Sequence, residues 1–446
     1  MALFWCELAW LGGDSATAAV LVTTTSDRIT EIAVGVPCPP AATRLTGLTL
    51  PGMANAHSHA FHRALRGRTQ AGTGSFWTWR DQMYTTAQRL NPDSYFRLAR
   101  AVYGEMAMAG ITCVGEFHYL HHGPGGVPYA DPNAMGAALV AAATEAGIRI
   151  TLLDVCYLHG GVGIEPNEPQ QRFSDGDALT WAARASATSS LASAGVRVGA
   201  AIHSVRAVDP ATVEVVAAWA AASDAPLHAH VSEQKAENQQ CIDAYGLTPT
   251  ALLAERGALG SRFTAVHATH LAGSDIGLYG IHGCTICMCP TTERDLADGI
   301  GSALALRDAG ARLSLGTDSH AVIDMFEEAR AVELDERLAA QVRGSHDAPS
   351  LMRAATVQGH DSLGWADAGR IEVGMLADLV SVRMDSVRTA GSSVATAVES
   401  AIFAASAADV HYVVASGVVI VSDGHHQRMN VATELASSIC EVMGEQ

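Results

Sequence analysis

Histidines two apart open the chemistry of this chain. His57 and His59 lie in PGMANAHSHAFHR (residues 51–63), directly after the apolar, β-prone run Leu45 to Leu50, which Pro51-Gly52 closes. Side chains two apart on a strand point the same way, so both imidazoles can face one ion. Imidazole suits zinc, and a catalytic zinc takes about three protein ligands and keeps a position open for water. Alone, the motif is too short to settle a metal site, because two loop histidines would read the same. Further candidates follow downstream: His230 and Glu233 in HVSE, His267 in VHATH, and Asp318 in LGTDSH. His228 competes with His230 as a ligand, but its spacing leaves Glu233 further round. For Asp318 the competing role is a helix N-cap, and for His267 a hydrogen bond within a strand wall.

These residues fall at the ends of a regular series of elements. Candidate strands run LTLPGMANAH, ITCVGEF (111–117), RITLLDVCY (149–157), RVGAAIHS (197–204), PLHAHVSE (226–233), FTAVHATH (263–270), TICMCPT (285–291) and ARLSLGTDS (311–319). Between most of them lie Ala-rich helical stretches such as 95–110 and 211–223. Eight strand–helix repeats in about 250–300 residues predict a (β/α)8 barrel, whose active site sits at the C-terminal strand ends. His57, His59, Glu116, His118, His203, His230, Glu233, His267 and Asp318 all map to those ends. Polar groups gathered there are costly as unpaired core residues, and a shared metal and substrate would account for them. Residues 1–50 read as four short strands without a helix. The stretch from 366 to 446 has the same strand-like texture, so both ends are expected to build one β-domain flanking a 51–365 barrel.

Composition narrows the function. Apolar residues make up 48% of the 446, enough for a large core, and no stretch reads as a membrane span. MALFWCELAW has no basic lead, so it reads as a strand rather than a signal peptide. A net charge of −18 argues against nucleic acid or an anionic membrane as partner. It does not argue against an anionic substrate, because charges beyond ~8 Å are largely screened. Nine scattered cysteines fit reduced thiols in a cytoplasm. Cys284, Cys287 and Cys289 read as apolar residues of the seventh barrel strand. His121 and His122, beside Gly-Pro-Gly-Gly, read as loop residues near the barrel mouth.

Taken together, PGMANAHSH, HVSE, VHATH, GTDS and GMLADLV resemble the amidohydrolase superfamily, in its mononuclear-zinc deaminase branch, over nearly the whole chain. Within that branch, NAHSHAFHRALRG, SFWTWRDQMY, GEFHYLHH, HSVRAV and CPTTERDLADG are similar to the formimidoylglutamate deiminases. Those enzymes of histidine breakdown convert N-formimino-L-glutamate and water to N-formyl-L-glutamate and ammonia. The resemblance implies a distorted (β/α)8 barrel with a small β-sandwich domain, a homodimer, and one Zn2+ per chain. It implies His57, His59, His230 and Asp318 as metal ligands, with Glu233, His267 and Asp318 as the catalytic set. It further implies His62, Arg80, Tyr119, His203 and Arg206 around the substrate, with Arg80 on a Trp-rich loop able to act as a lid. His62 stands where that family is expected to have Gln. The chain's single lysine, Lys235, falls past strand five, so the lysine-bridged metal pair of other amidohydrolases is excluded. The same barrel could deaminate another substrate, such as a purine or N-formimino-aspartate; a purine site would want aromatic stacking and amide contacts in place of two arginines. A non-catalytic binding protein of this fold would be expected to have lost one of the four ligands.

Overall fold

The computed structural model describes every residue apart from Gly72, Ser75 and Gln446. The residues described form two eight-stranded sheets. The first is mixed and drawn from both ends of the chain. It comprises β1 (Ala2–Ala9), β2 (Thr17–Thr25), β3 (Arg28–Val34), β4 (Thr43–Pro51), β13 (Leu379–Val382), β14 (Val410–Ala415), β15 (Val418–Ser422) and β16 (His425–His426), in the order β16-β15-β14-β13-β4-β1-β2-β3. The sheet curls onto itself, because Ile29 N–H donates to the Met375 carbonyl and Gly374 N–H to that of Ile29. Phe4, Cys6, Val20, Val22, Leu45, Leu379 and Val414 fill its own small core.

The second sheet is parallel throughout and runs in chain order. Its strands are β5 (Met53–Ser58), β6 (Ile111–His118), β7 (Arg149–Cys156), β8 (Val196–Ile202), β9 (Leu227–Val231), β10 (Phe263–His267), β11 (Thr285–Met288) and β12 (Arg312–Leu315). The β5, β6 and β7 strands are buried at every position. That is why their sequences show no regular apolar/polar alternation: helices cover one face and the barrel interior the other, and the polar residues they carry are buried too. A bridge between Ser58 and Asp318 joins the first strand to the segment after the last and closes the barrel.

One residue, Gly52, carries the chain from β4 into β5. A Cβ there would lie 2.2 Å from the Thr112 hydroxyl and 2.7 Å from the Asp378 Cβ, so only glycine lets the two sheets approach. Beside it, Arg149 at the start of β7 meets Asp378 just before β13. Their side chains are 4% and 1% exposed. Arg149 donates through both terminal nitrogens to the Asp378 carboxylate, which also accepts from Ser416 N–H at 2.8 Å. A buried charge is tolerable only with its partner, so this pair locks the terminal sheet to the barrel.

The C-terminal stretch is not strand throughout. Helices span Ala397–Phe403 and Val431–Met443. In the second, Val431, Leu435, Ser438 and Val442 are buried at helical spacing. It packs along the barrel helix Pro92–Met108, where Arg97 pairs with Glu441 and Arg100 with Glu434. The segment carrying Arg80, read from sequence as a loop, is the helix Phe76–Gln88. It holds no Gly or Pro, so nothing breaks the helix once it packs over the barrel mouth. No described helix is long and apolar enough to cross a membrane.

Replacing Arg149 by Met strands the Asp378 charge. We expect Arg149→Met to cost about 3–5 kcal/mol in denaturant unfolding. Adding Asp378→Asn should recover part of that loss, because the amide is neutral and still accepts from Ser416. A loss below about 1 kcal/mol, the worth of a surface pair, would show that the pair does not hold the sheets together.

Candidate active site and metal centre

At the C-terminal end of the barrel, His57, His59, His230 and Asp318 bring one ligand atom each to within 4.8 Å of one another. Asp318 Oδ1 lies 3.2 Å from His57 Nε2 and 3.3 Å from His59 Nε2, while His57 Nε2 is 3.1 Å from His230 Nε2. Donors held ~2.0–2.1 Å from a common tetrahedral centre would stand roughly 3.3 Å apart, so the spacing fits one ion. The outer bonds fit as well. His59 Nδ1 faces the Phe117 carbonyl at 3.1 Å and His230 Nδ1 the His203 carbonyl at 2.9 Å. A carbonyl demands a hydrogen on Nδ1, which leaves the Nε2 lone pair of each ring turned to the cluster.

Protonation fits too. Burial lowers the pKa of His57, and burial with neighbouring imidazoles puts His59 and His230 well below the ordinary value. Neutral imidazole is the ligating form. Burial works against the Asp318 carboxylate, yet its contact with His57 and the nearby His267 holds it below the usual carboxylate range. Three neutral rings and one carboxylate therefore suit a divalent cation. Lys235 is exposed at the start of the helix Lys235–Tyr245 and takes no part.

The backbone brings Asp318 to the histidines. Asp318 N–H donates to the His57 carbonyl at 3.0 Å, and His59 N–H to the Asp318 carbonyl at 3.2 Å. A side chain at Gly316 could not fit, since its Cβ would sit 2.8 Å from His57 Cβ. Asn55 completes the seam, accepting from Thr317 N–H at 2.9 Å and donating to its hydroxyl at 2.7 Å. Asp318 and His320 adopt positive φ of 38° and 58°, strain that the surrounding bonds sustain.

Next to the cluster stand Glu233 and His267. His267 Nε2 is 3.9 Å from Glu233 Oε1 and 3.8 Å from Asp318 Oδ2, while its Nδ1 is 3.3 Å from Glu293 Oε1. Burial disfavours a charged His267, but Glu293, Glu233 and Asp318 outweigh it and push its pKa well up. Burial raises the pKa of Glu233, against the pull of His267 and Arg206.

The cluster opens into a cavity of about 240 Å³, the scale of a small metabolite. His62, Arg80, Tyr119, His203 and Arg206, all named from sequence, line it. The His62 Nε2 is 2.9 Å from the Tyr119 hydroxyl. Arg80 stacks its guanidinium 4.5 Å from the Trp77 ring centre. Arg206 is not free-standing: its NH2 lies 3.4 Å from Glu233 and its Nε 3.5 Å from Glu237. Sequence reading missed Glu237, Glu293 and Gln170. Glu237 lies four residues after Glu233, in the first turn of the helix Lys235–Tyr245, and Glu293 sits in CPTTERDLADG, so each carried a faint signal. Gln170 carried none.

Other histidines weighed from sequence lie elsewhere. His228 Nε2 bonds the Ser362 carbonyl at 2.9 Å, His121 the Val155 carbonyl at 2.9 Å, and His122 the Asp175 carboxylate at 3.0 Å. His118 is buried against His121 and Tyr95. Cys287 and Cys289 pack with Ala56 and Val266 as apolar residues.

Comparison with known proteins places this architecture. Residues 48–420 match the model of the amidohydrolase family. A curated relative, formimidoylglutamate deiminase of Pseudomonas aeruginosa, is 36% identical over 415 residues, covering 91% of this chain and 90% of that one. The crystal structure of an amidohydrolase from Brucella melitensis superposes with a TM-score of 0.92 at 31% identity, over 99% of this chain and 100% of that one. An adenosine deaminase from Xanthomonas campestris with bound zinc does so at 0.85 and 25% identity, over 99% and 97%. With a parallel barrel, a sheet built from both termini and a His/Asp cluster at the strand ends, the chain belongs to the amidohydrolase family and is a hydrolase acting on C–N bonds.

Proposed function

We propose that the protein catalyses the zinc-dependent hydrolytic deimination of N-formimino-L-glutamate to N-formyl-L-glutamate and ammonia, in histidine degradation. The observation that carries this reading is that Arg80 and Arg206 open on the same cavity as the His/Asp cluster. Two guanidinium forks suit a substrate with two carboxylates, since each can take one in a bidentate grip. The 36% identity to a relative of that name supports it. In this reading residues 51–365 form the catalytic unit and 1–50 with 366–446 the flanking domain.

His57, His59, His230 and Asp318 would hold one zinc ion, which would supply a Lewis acid and make water acidic near neutral pH. Asp318, ionised and 3.8 Å from His267, takes the proton of the attacking water. His267, cationic beside three carboxylates, orients that water and offsets the negative charge that develops next to it. The new C–O bond forms at the formimino carbon, and Glu233 delivers a proton to its terminal nitrogen. As that C–N bond breaks, the nitrogen takes a second proton, the one Asp318 removed from water. The adduct's hydroxyl returns a proton to Glu233, so that ammonia leaves and the formyl group remains on the glutamate nitrogen. Glu233 is suited to this transfer because burial favours its protonated form.

The aromatic cavity walls also suit a flat ring, and the solved adenosine deaminase shares the fold. Two arginines are a poor match for a neutral purine, so ammonia release from adenosine without release from N-formimino-L-glutamate would favour that second reading.

We expect one zinc per chain by elemental analysis; two stoichiometric metals in the active protein would rule out a mononuclear site. Glu233→Gln should keep its metal while turnover falls by about 10²–10⁴, and near-normal turnover would remove Glu233 from proton transfer. Arg206→Met should lower kcat/KM on N-formimino-L-glutamate by about 10–100-fold, with little change on the same compound blocked as its amides. Equal losses on both would make Arg206 structural.

A further inference from the structure

Gln170, Tyr84 and Tyr157, which the proposed mechanism does not use, form a small hydrogen-bonding unit at the cavity wall. Gln170, 2% exposed, lies behind the wall, and Tyr84 and Tyr157 face the cavity in front of it. Its side-chain Nε2 is 3.0 Å from the Tyr84 hydroxyl and 2.7 Å from that of Tyr157.

Which end of the amide faces the phenols is fixed by a neighbour. Gln170 Oε1 accepts from Asn167 N–H at 2.9 Å, and a backbone N–H can only donate. The oxygen therefore points at Asn167 and the NH2 group at the tyrosines. Each amide hydrogen goes to one phenol oxygen, so both phenols act as acceptors toward Gln170 and keep their own hydrogens. At least one hydroxyl hydrogen then remains to donate into the cavity.

The surroundings say what it would meet. The Arg80 guanidinium lies 5.5 Å from the Tyr84 ring centre, the Tyr157 ring packs 4.5 Å from that of His203, and Arg206 lines the same cavity. An O–H donor in the same cavity as two guanidinium groups, with a neutral amide behind it, is suited to an anion with multiple oxygens. Gln rather than Glu at 170 is required, because a carboxylate would draw the phenol hydrogens back to itself.

We infer that Gln170 aims the Tyr84–Tyr157 pair as hydroxyl donors to a substrate carboxylate, making this trio a specificity determinant for dicarboxylates alongside Arg80 and Arg206. The inference rests on the deimination reading for its substrate but is tested by binding alone. Calorimetric titration of the zinc-loaded protein with glutarate and with its diamide reads the preference for charge. Tyr157→Phe should weaken glutarate about tenfold or more while moving the diamide far less. Gln170→Glu, nearly the same shape, should weaken glutarate at least as much. Tyr84→Phe provides a second phenol variant should Tyr157→Phe fail to fold, with thermal melting as the check on folding. Wild-type glutarate affinity in Gln170→Glu, or equal losses for glutarate and diamide in the phenylalanine variants, would overturn the inference. The two readings fail separately. A wild type that binds glutarate with this dependence but releases no ammonia from N-formimino-L-glutamate defeats the proposed function only. Normal turnover with unaltered glutarate binding in all three variants defeats the trio only.

Discussion

The site depends on how the barrel closes. Its first and last strands do not share a regular ladder; they are joined by the backbone exchange between His57, His59 and Asp318. Residues more than 250 positions apart thus become ligand neighbours through main-chain hydrogen bonds, whose geometry tolerates little drift. Gly316 allows the approach and Asn55 pins it, so the seam that completes the fold also completes the cluster. The positive φ at Asp318 is held because closing the barrel over-determines it.

Around that seam the protein arranges charge locally, against its global sign. The chain is strongly acidic, yet Arg80 and Arg206 open on the cavity, and burial keeps the cluster imidazoles neutral. His267 is the exception, because Glu233, Glu293 and Asp318 surround it. Arg206 sits between Glu233 and Glu237, linking the part of the cavity suited to an anion with the part suited to proton transfer. In a site shielded from water such links are stronger than at the surface. The helix Phe76–Gln88 supplies the shield, setting Trp77, Trp79 and Arg80 over the opening.

The terminal sheet serves the barrel from the opposite side. Gly52 passes the chain between the sheets with no linker, and the Arg149–Asp378 pair fixes β7 to the segment before β13. The helix Val431–Met443 lies on the barrel's helical layer. The two sheets are therefore mechanically one body at the foot of β5, the strand that leads into His57 and His59.

By itself the sequence determined the strand series, the barrel and the residues at its strand ends. Period-two spacing puts His57 and His59 on one side, and apolar runs that end in polar residues mark the C-terminal rim. It also excluded a lysine-bridged metal pair, because the only lysine lies past strand five. Tertiary structure alone decided which of the neighbouring histidines face the cluster. His228 and His230 differ by two positions, yet one ring bonds Ser362 and the other meets His57. It alone decided that Arg206 is paired, that Glu293 backs His267, and that Gln170 turns its amide hydrogens on two tyrosines. These are contacts between elements far apart in the chain, set by side-chain packing and hydrogen-bond direction, which leave no period in the sequence. The C-terminal helix is the converse case. Val431, Leu435, Ser438 and Val442 recur at helical spacing behind the Asn430 cap, so its period was in the sequence, but the strand runs just before it set the reading of the whole stretch.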